Sequence, residues 1–260
     1  MKRLAAALFV LSAAAPALAQ DELVGFRVRE WYARVSGTVE ADSSGLGSTT
    51  IDLDHDIGLG DRNWTPELQA YLHLPVLGRI YGGWWHLHDT GHETLSEQID
   101  YANQSFAVGT PVNSEFTLDV GYLTYEFAFP TIPLGNLLKL ELAVSAGARA
   151  IRGDASISDG SQSAHDNGII GFPTLGAHVT LKLFDYIRTE VEVQGLVFRY
   201  SNNEVHYIET FAEATVEPLP WVFAGVGYKL AVVNLQHSAS NSFHVDIDIS
   251  GIYLTVGVRF

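Results

Sequence analysis

The chain has 260 residues, no cysteine, a single methionine and a net charge of −15, from 15 Lys+Arg against 30 Asp+Glu. That excess of acid weighs against nucleic acid or an anionic membrane surface as a charge-driven partner. Without cysteine there are no disulfides and no lipidated anchor, so stability has to come from packing and backbone pairing.

At the start, Lys2 and Arg3 precede an apolar run from Leu4 to Ala15, followed by Ala17-Leu18-Ala19. A charged start, a short apolar stretch and an A-x-A site predict a secretory signal peptide over 1–19, cut after Ala19. Residues 20–260 remain as one domain, with a net charge of about −17 once Lys2 and Arg3 are gone.

From there the apolar residues recur at every second position, in segments bounded by Gly, Pro, Asn and Asp. The first segment is 25–40. Loop 41–63 follows, where Ile51, Leu53, Ile57 and Leu59 alternate with Asp52, Asp54 and Asp56. The acids resemble half a calcium loop, but Gly58 stands at position seven and Asn63 at twelve, and the alternation suits a strand better. Segment 64–74 sets Leu68, Ala70, Leu72 and Leu74 against Glu67, Gln69, Tyr71 and His73. From the end of segment 79–90 into the loop after it runs "WWHLHDTGHETL" (84–95). His86 and His88 share a face there, and with His92 they form a candidate Zn²⁺ or Cu²⁺ site, with Asp89 or Glu93 as a further ligand. Turning these histidines inward puts Tyr81, Trp85 and Leu87 against lipid.

After loop 91–113, segment 114–129 leaves two phases open: Leu118, Val120 and Tyr122 outward, or Leu123, Tyr125 and Phe127, with a bulge near Gly121 as the switch. Segment 137–153 places Leu138, Leu140, Leu142 and Val144 opposite Lys139, Glu141, Ser145 and Arg149. Loop 154–167 and segment 168–184 follow. Segment 186–200 opposes Val191, Val193 and Val197 to Arg188, Glu190 and Glu192, and 204–217 opposes Ala212, Ala214 and Val216 to Glu209, Glu213 and Glu217. The last segments are 221–236 and 243–260. In the final one the apolar phase flips at Ser250, which reads as a bulge or as the strand leaving an apolar band.

These ten segments alternate short turns (75–78, 130–136, Asp185, 218–220) with other loops, several of them long and polar. The pattern predicts an all-β fold: a transmembrane antiparallel up-and-down β-barrel of about ten strands, eight or twelve being the alternatives. Aromatics gather at strand ends: Phe127, Phe129, Phe184, Tyr186, Trp221 and Phe223 on one side, Trp64, Tyr200 and Tyr207 on the other. Two such bands are expected at the two interfaces.

The chain closes on Ile252, Leu254, Val256, Val258 and Phe260, all on one face of a strand. With the signal peptide and the alternating strands, this ending resembles the Gram-negative outer-membrane β-barrel proteins. The resemblance implies an outer-membrane location and an assembly signal, Ile252 to Phe260, read by the barrel-assembly machinery. It also implies outer-membrane lipid and lipopolysaccharide as surroundings.

With polar faces inward, the lumen holds Arg34, Lys139, Arg149, Lys182, Arg188, Lys229 and Arg259 together with Glu67, Glu141, Glu190, Glu192, Glu209, Glu213 and Glu217. Ten strands enclose little space. Either these charges pair and fill the barrel, or they line a narrow path that favours cations. The expected function is thus a porin-like narrow channel or a plugged structural barrel. The alternatives are a surface-binding barrel acting through loops 41–63, 91–113 and 154–167, and an outer-membrane hydrolase. For the last, His244–Asp246 and His88–Asp89 do not match the order that omptin-like proteases need, and Ser201 has Arg199, not a histidine base, two residues before it. No cofactor motif and no nucleic-acid motif are found.

Overall fold

The computed structural model describes residues 23–43, 47–74, 78–102, 104–184, 186–200, 203–237 and 243–260. The export segment and the turn residues 75–77, Asp185 and Ser201 lie outside the described residues. Ten long strands build the wall: β1 (Val24–Ser43), β2 (Arg62–Leu74), β3 (Gly78–Thr94), β4 (Pro111–Ala128), β5 (Leu138–Ser158), β6 (Ser163–Leu183), β7 (Ile187–Tyr200), β8 (Asn203–Leu219), β9 (Val222–His237) and β10 (Phe243–Arg259). Each pairs antiparallel with the next, and β10 pairs with β1, so among the described residues the sheet has no free outer strand. The Phe260 N–H donates to the Val24 carbonyl at 2.8 Å, closing the seam at the end of the last strand.

Closure satisfies the backbone of a wall that faces lipid. Outward side chains are apolar in a band that includes Phe26, Leu68, Leu123, Val144, Val193 and Leu254. At its edge nearer the termini, Phe127 meets Phe129 and Phe184 stacks on Tyr186. At the far edge Tyr32 packs on Trp64. Two aromatics assigned to these girdles are inside instead: Tyr207 and Phe223 are both buried in the lumen. The side chain of Tyr200 lies outside those described.

β5 and β6 each run for 21 residues, roughly 70 Å along the strand, when about 10 tilted residues cross the bilayer. The wall therefore continues well beyond the apolar band. Residues 154–167, expected as a loop, are mostly this continuation, with only 159–162 as the turn. On loop 41–63, Gly47–Asp52 pairs with the outer end of β1. On loop 91–113, Ile99–Tyr101 and Gln104–Phe106 form a hairpin.

Strand phase is constant along β4 and β10. Neither the switch near Gly121 nor the bulge at Ser250 exists: the register runs unbroken from Asn113 to Ala128 and from Phe243 to Val258. What changes is the composition of the two faces. Leu254 points out and is 58% exposed, whereas Ile249, of opposite parity on the same strand, points in and is 0% exposed. Beyond the band, water replaces lipid outside, so the apolar residues move to the interior and the polar ones (Asp246, Asp248) to the exterior.

Candidate functional site

The interior has two storeys. The lower one, level with the apolar band, is a chain of alternating charge. Arg188 meets Glu190 at 3.2 Å and Arg27 meets both Glu190 and Glu213 at 3.4 Å. Arg29 bridges Glu213 and Glu67 at 3.1 Å each; Lys229 continues from Glu67 (2.9 Å) to Glu209 (3.5 Å), and Arg149 ends the run on Glu209 at 2.8 Å. A side branch joins Arg79, Glu126 and His178 at 3.0 and 2.8 Å. Phenols complete the carboxylates: Tyr122 donates to Glu67, Tyr81 to Glu192 and Tyr207 to Glu209.

Aromatic faces cover the cations. Lys229 lies over Trp31 and Trp85, Arg29 over Phe211 and Tyr253, and Arg149 over Tyr122 and Tyr207, all with centroid distances of 4.6–5.2 Å. Room for these rings comes from inward glycines. A Cβ at Gly83 would stand 2.5 Å from the Tyr122 hydroxyl.

The expected lumen residues fall into three groups. Glu67, Arg149, Glu190, Glu192, Glu209, Glu213 and Lys229 are buried in the lower storey. Glu141, Lys182 and Arg188 stand at the mouth nearest the termini, where Lys182 reaches Glu141 at 2.8 Å and Arg259 pairs with Glu217. They line, with Lys139, two adjoining recesses of about 620 and 680 Å³. Arg34 is not a lumen residue. It lies on the outer face, bound to Asp54 at 2.5 Å, because it has the opposite parity to Arg27 and Arg29 on an unbroken strand. Those two arginines were missed, together with Arg79, Glu126 and His178. The signal was present in Phe26 and Val28, whose outward position fixes the phase of β1.

The upper storey is apolar. Trp31 meets Trp85 edge-on at 5.7 Å. Beyond this pair the interior holds Leu87, Val120, Phe172, Val233 and Ile249 from the wall, and Ile51, Leu53, Ile57 and Leu59 from the loop after β1. The loop enters through a split in the wall, since β2–β3 pairing stops at Glu67 opposite Trp85. Asp89 anchors it, accepting from Gly60 N–H at 3.1 Å and Asn63 Nδ2 at 2.6 Å, while Ser114 Oγ donates to the Ile57 carbonyl at 2.5 Å. Gly91 permits the contact, as a Cβ there would stand 2.1 Å from the Ile57 oxygen. Burial pushes the Tyr101 hydroxyl, on the hairpin above, well up from the ordinary phenol range.

Segment 79–90 has the reverse of the expected phase: Tyr81, Trp85 and Leu87 are inside, and His86 and His88 are outside. A tyrosine and a tryptophan can serve a charged lumen through O–H and ring face, so aromatic character did not mark the lipid side. The histidines do not assemble into a metal site. His86 Nδ1 is 2.9 Å from Asp119, His88 Nδ1 is 3.2 Å from Thr117, and His92 Nδ1 is 2.7 Å from Asn113. No cluster of three metal-ligating side chains occurs among the described residues. In the Asp52–Asp56 segment two carboxylates turn back on the segment itself, Asp52 accepting from the N–H groups of Asp54 and His55 and Asp56 from that of Asp52, while Asp54 binds Arg34. His88 and Asp89 point to opposite faces and form no acid–base pair.

No protein-family model matches the chain, and no curated protein matches it. Among solved structures it is similar to the outer membrane protease OmpT of Escherichia coli, at 8% identity over 93% of this chain and 97% of that one, with a TM-score of 0.44. It is also similar to the attachment invasion locus protein Ail of Yersinia pestis (11%, 92% and 100%, 0.32) and to Neisserial surface protein A (13%, 90% and 97%, 0.34). Likeness at this level transfers no residue, ligand or activity. The wall itself decides the fold: closed, antiparallel, apolar outside and charged inside, it is a β-barrel built to span a membrane.

Proposed function

We propose that the protein is a closed barrel of the bacterial outer membrane, in which the lumen braces the wall and the storey beyond the membrane is presented to the outside. One observation carries this reading: Ile57, Leu59, Leu87, Val120 and Ile249, none more than 5% exposed, meet across the bore above the charge network. A solute would have to break both the paired charges and the apolar layer, and a dry apolar constriction is itself a barrier to ions. On this reading residues 1–19 are the cleaved export signal. The strand from Ile252 to Phe260 serves the assembly machinery, and surrounding lipid is the partner of the outer wall.

Planar-bilayer conductance of the folded mature protein tests it. The expected record is silence from the native chain and also from a variant lacking residues 47–60, in which the paired charges still close the bore. Cation-preferring steps from the native chain would replace this reading with a narrow channel lined by Glu190 and Glu192.

A further inference from the structure

Among the described residues Arg34, Arg62, Arg152 and Arg199 are the arginines exposed on the outer wall, and each stands just beyond the apolar band on its strand. Two of them lie directly opposite one another in the β1–β2 register, Arg34 against Arg62. Like charges at opposed positions destabilise a sheet, so the pair calls for an anion.

What surrounds the pair narrows the anion. In the next outward row toward the membrane Tyr32 lies opposite Trp64, ring centroids 4.9 Å apart, and Trp64 is 58% exposed. The Arg62 guanidinium stands over Tyr32 at 5.9 Å, and no carboxylate pairs with it among the described residues. Arg34 is held by Asp54 and by the Gly60 carbonyl at 3.1 Å; this pair is half exposed, so it offsets little of the charge. One outward row further down, Glu30 lies opposite Pro66, followed by Val28 opposite Leu68 inside the apolar band. From the rim inward the order is two guanidinium groups, an aromatic pair with Trp64 exposed, a carboxylate, and an apolar wall.

We infer that this patch binds the headgroup of a phosphorylated glycolipid of the outer leaflet. The phosphate lies between Arg34 and Arg62, which suit its geometry with paired N–H donors. The apolar face of a sugar ring covers Trp64, a sugar hydroxyl donates to Glu30, and the acyl chains continue down Val28 and Leu68. The occupant is a lipid and not free phosphate because the patch is continuous with the lipid-facing wall. The overall negative charge of the chain does not oppose this, since an exposed contact is screened from charges more than about 10 Å away. The inference rests on the barrel's place in the membrane, and not on whether its lumen conducts, so the conductance record and the following test fail independently.

The test is native mass spectrometry of the full folded barrel with bis-phosphorylated lipid A, lipid A stripped of phosphate, and inorganic phosphate. Native protein should retain the phosphorylated lipid, and Arg34→Gln/Arg62→Gln should weaken retention about 10-fold or more, the loss expected for two charge-assisted contacts. Because Arg34 also holds Asp54, Arg62→Gln alone is the second variant; it should lose several-fold, at unchanged heat-dependent gel mobility. Full retention by either folded variant overturns the inference. Equal binding of the dephosphorylated lipid also overturns it, as does displacement of the lipid by millimolar inorganic phosphate.

Discussion

The two storeys of the interior solve one packing problem with opposite chemistry. In the lower, outward positions belong to lipid, so the apolar residues are spent on the wall and the interior is filled with charge. Buried ions are tolerable there because Glu67, Glu190 and Glu209 each meet cations from two strands, and Arg29, Arg149 and Lys229 each have an aromatic face beside them. In the upper, water lies outside, and the interior returns to the ordinary apolar core of a soluble sheet. The same strands serve both. Arg27 and Arg29 give way to Ala33 and Val35 along β1, and Tyr253 to Ile249 along β10, at one parity throughout.

If the lower storey is a connected lattice, removing one carboxylate strands cations on two strands. Glu67→Gln leaves Arg29 with Glu213 alone and Lys229 with Glu209 at 3.5 Å. We expect a loss of about 3 kcal/mol, the lower end for a broken buried pair since each cation keeps a second partner. Equilibrium unfolding by guanidinium from lipid vesicles would show it. Glu67→Met combined with Lys229→Met should recover much of the loss. If the double variant is as unstable as the sum of its singles, the groups act separately and there is no lattice.

The upper storey should answer to volume instead of charge. Ile249→Ala removes methyl groups from a fully buried site and should cost about 2–4 kcal/mol, transfer and cavity terms together. Leu254→Ala, five residues on, faces lipid that can flow into the space, so only the transfer term remains and the loss should be smaller. Equal losses at the two sites, measured by the same unfolding experiment, would mean that Ile249 is not enclosed.

This contrast also explains what could be read in advance. The strands were legible because their alternation survives the change of storey, and so were the carboxylates Glu190, Glu192, Glu209 and Glu213, which lie at membrane level. The phase of β3 was not, because Tyr81, Trp85 and Leu87 are inward for three different reasons on one strand: hydrogen bonding to Glu192, cover for Lys229, and the apolar layer above. Arg34 failed likewise, since a polar residue beyond the band belongs outside. The position of the band edge sets the sign of the rule, and single-strand periodicity does not contain it.

The smallest expected effect lies at the far end of the upper storey, where β5 turns into β6. Asp159 Oδ1 accepts from the N–H groups of Ser161 and Gln162 at 2.8 Å each, and these bonds hold its carboxyl below the ordinary aspartate range. A depressed folded pKa means the turn is favoured above the unfolded value, about 4, and loses that support as pH falls through the folded one. Amide exchange at Ser161 and Gln162 should therefore quicken, relative to a short peptide, as the pH falls below about 4, and Asp159→Ala should remove the pH dependence. The amide of Ile249 should be indifferent over the same range. If it loosens in step with the turn, the storey melts as one with its rim, and the apolar layer is not an independent seal.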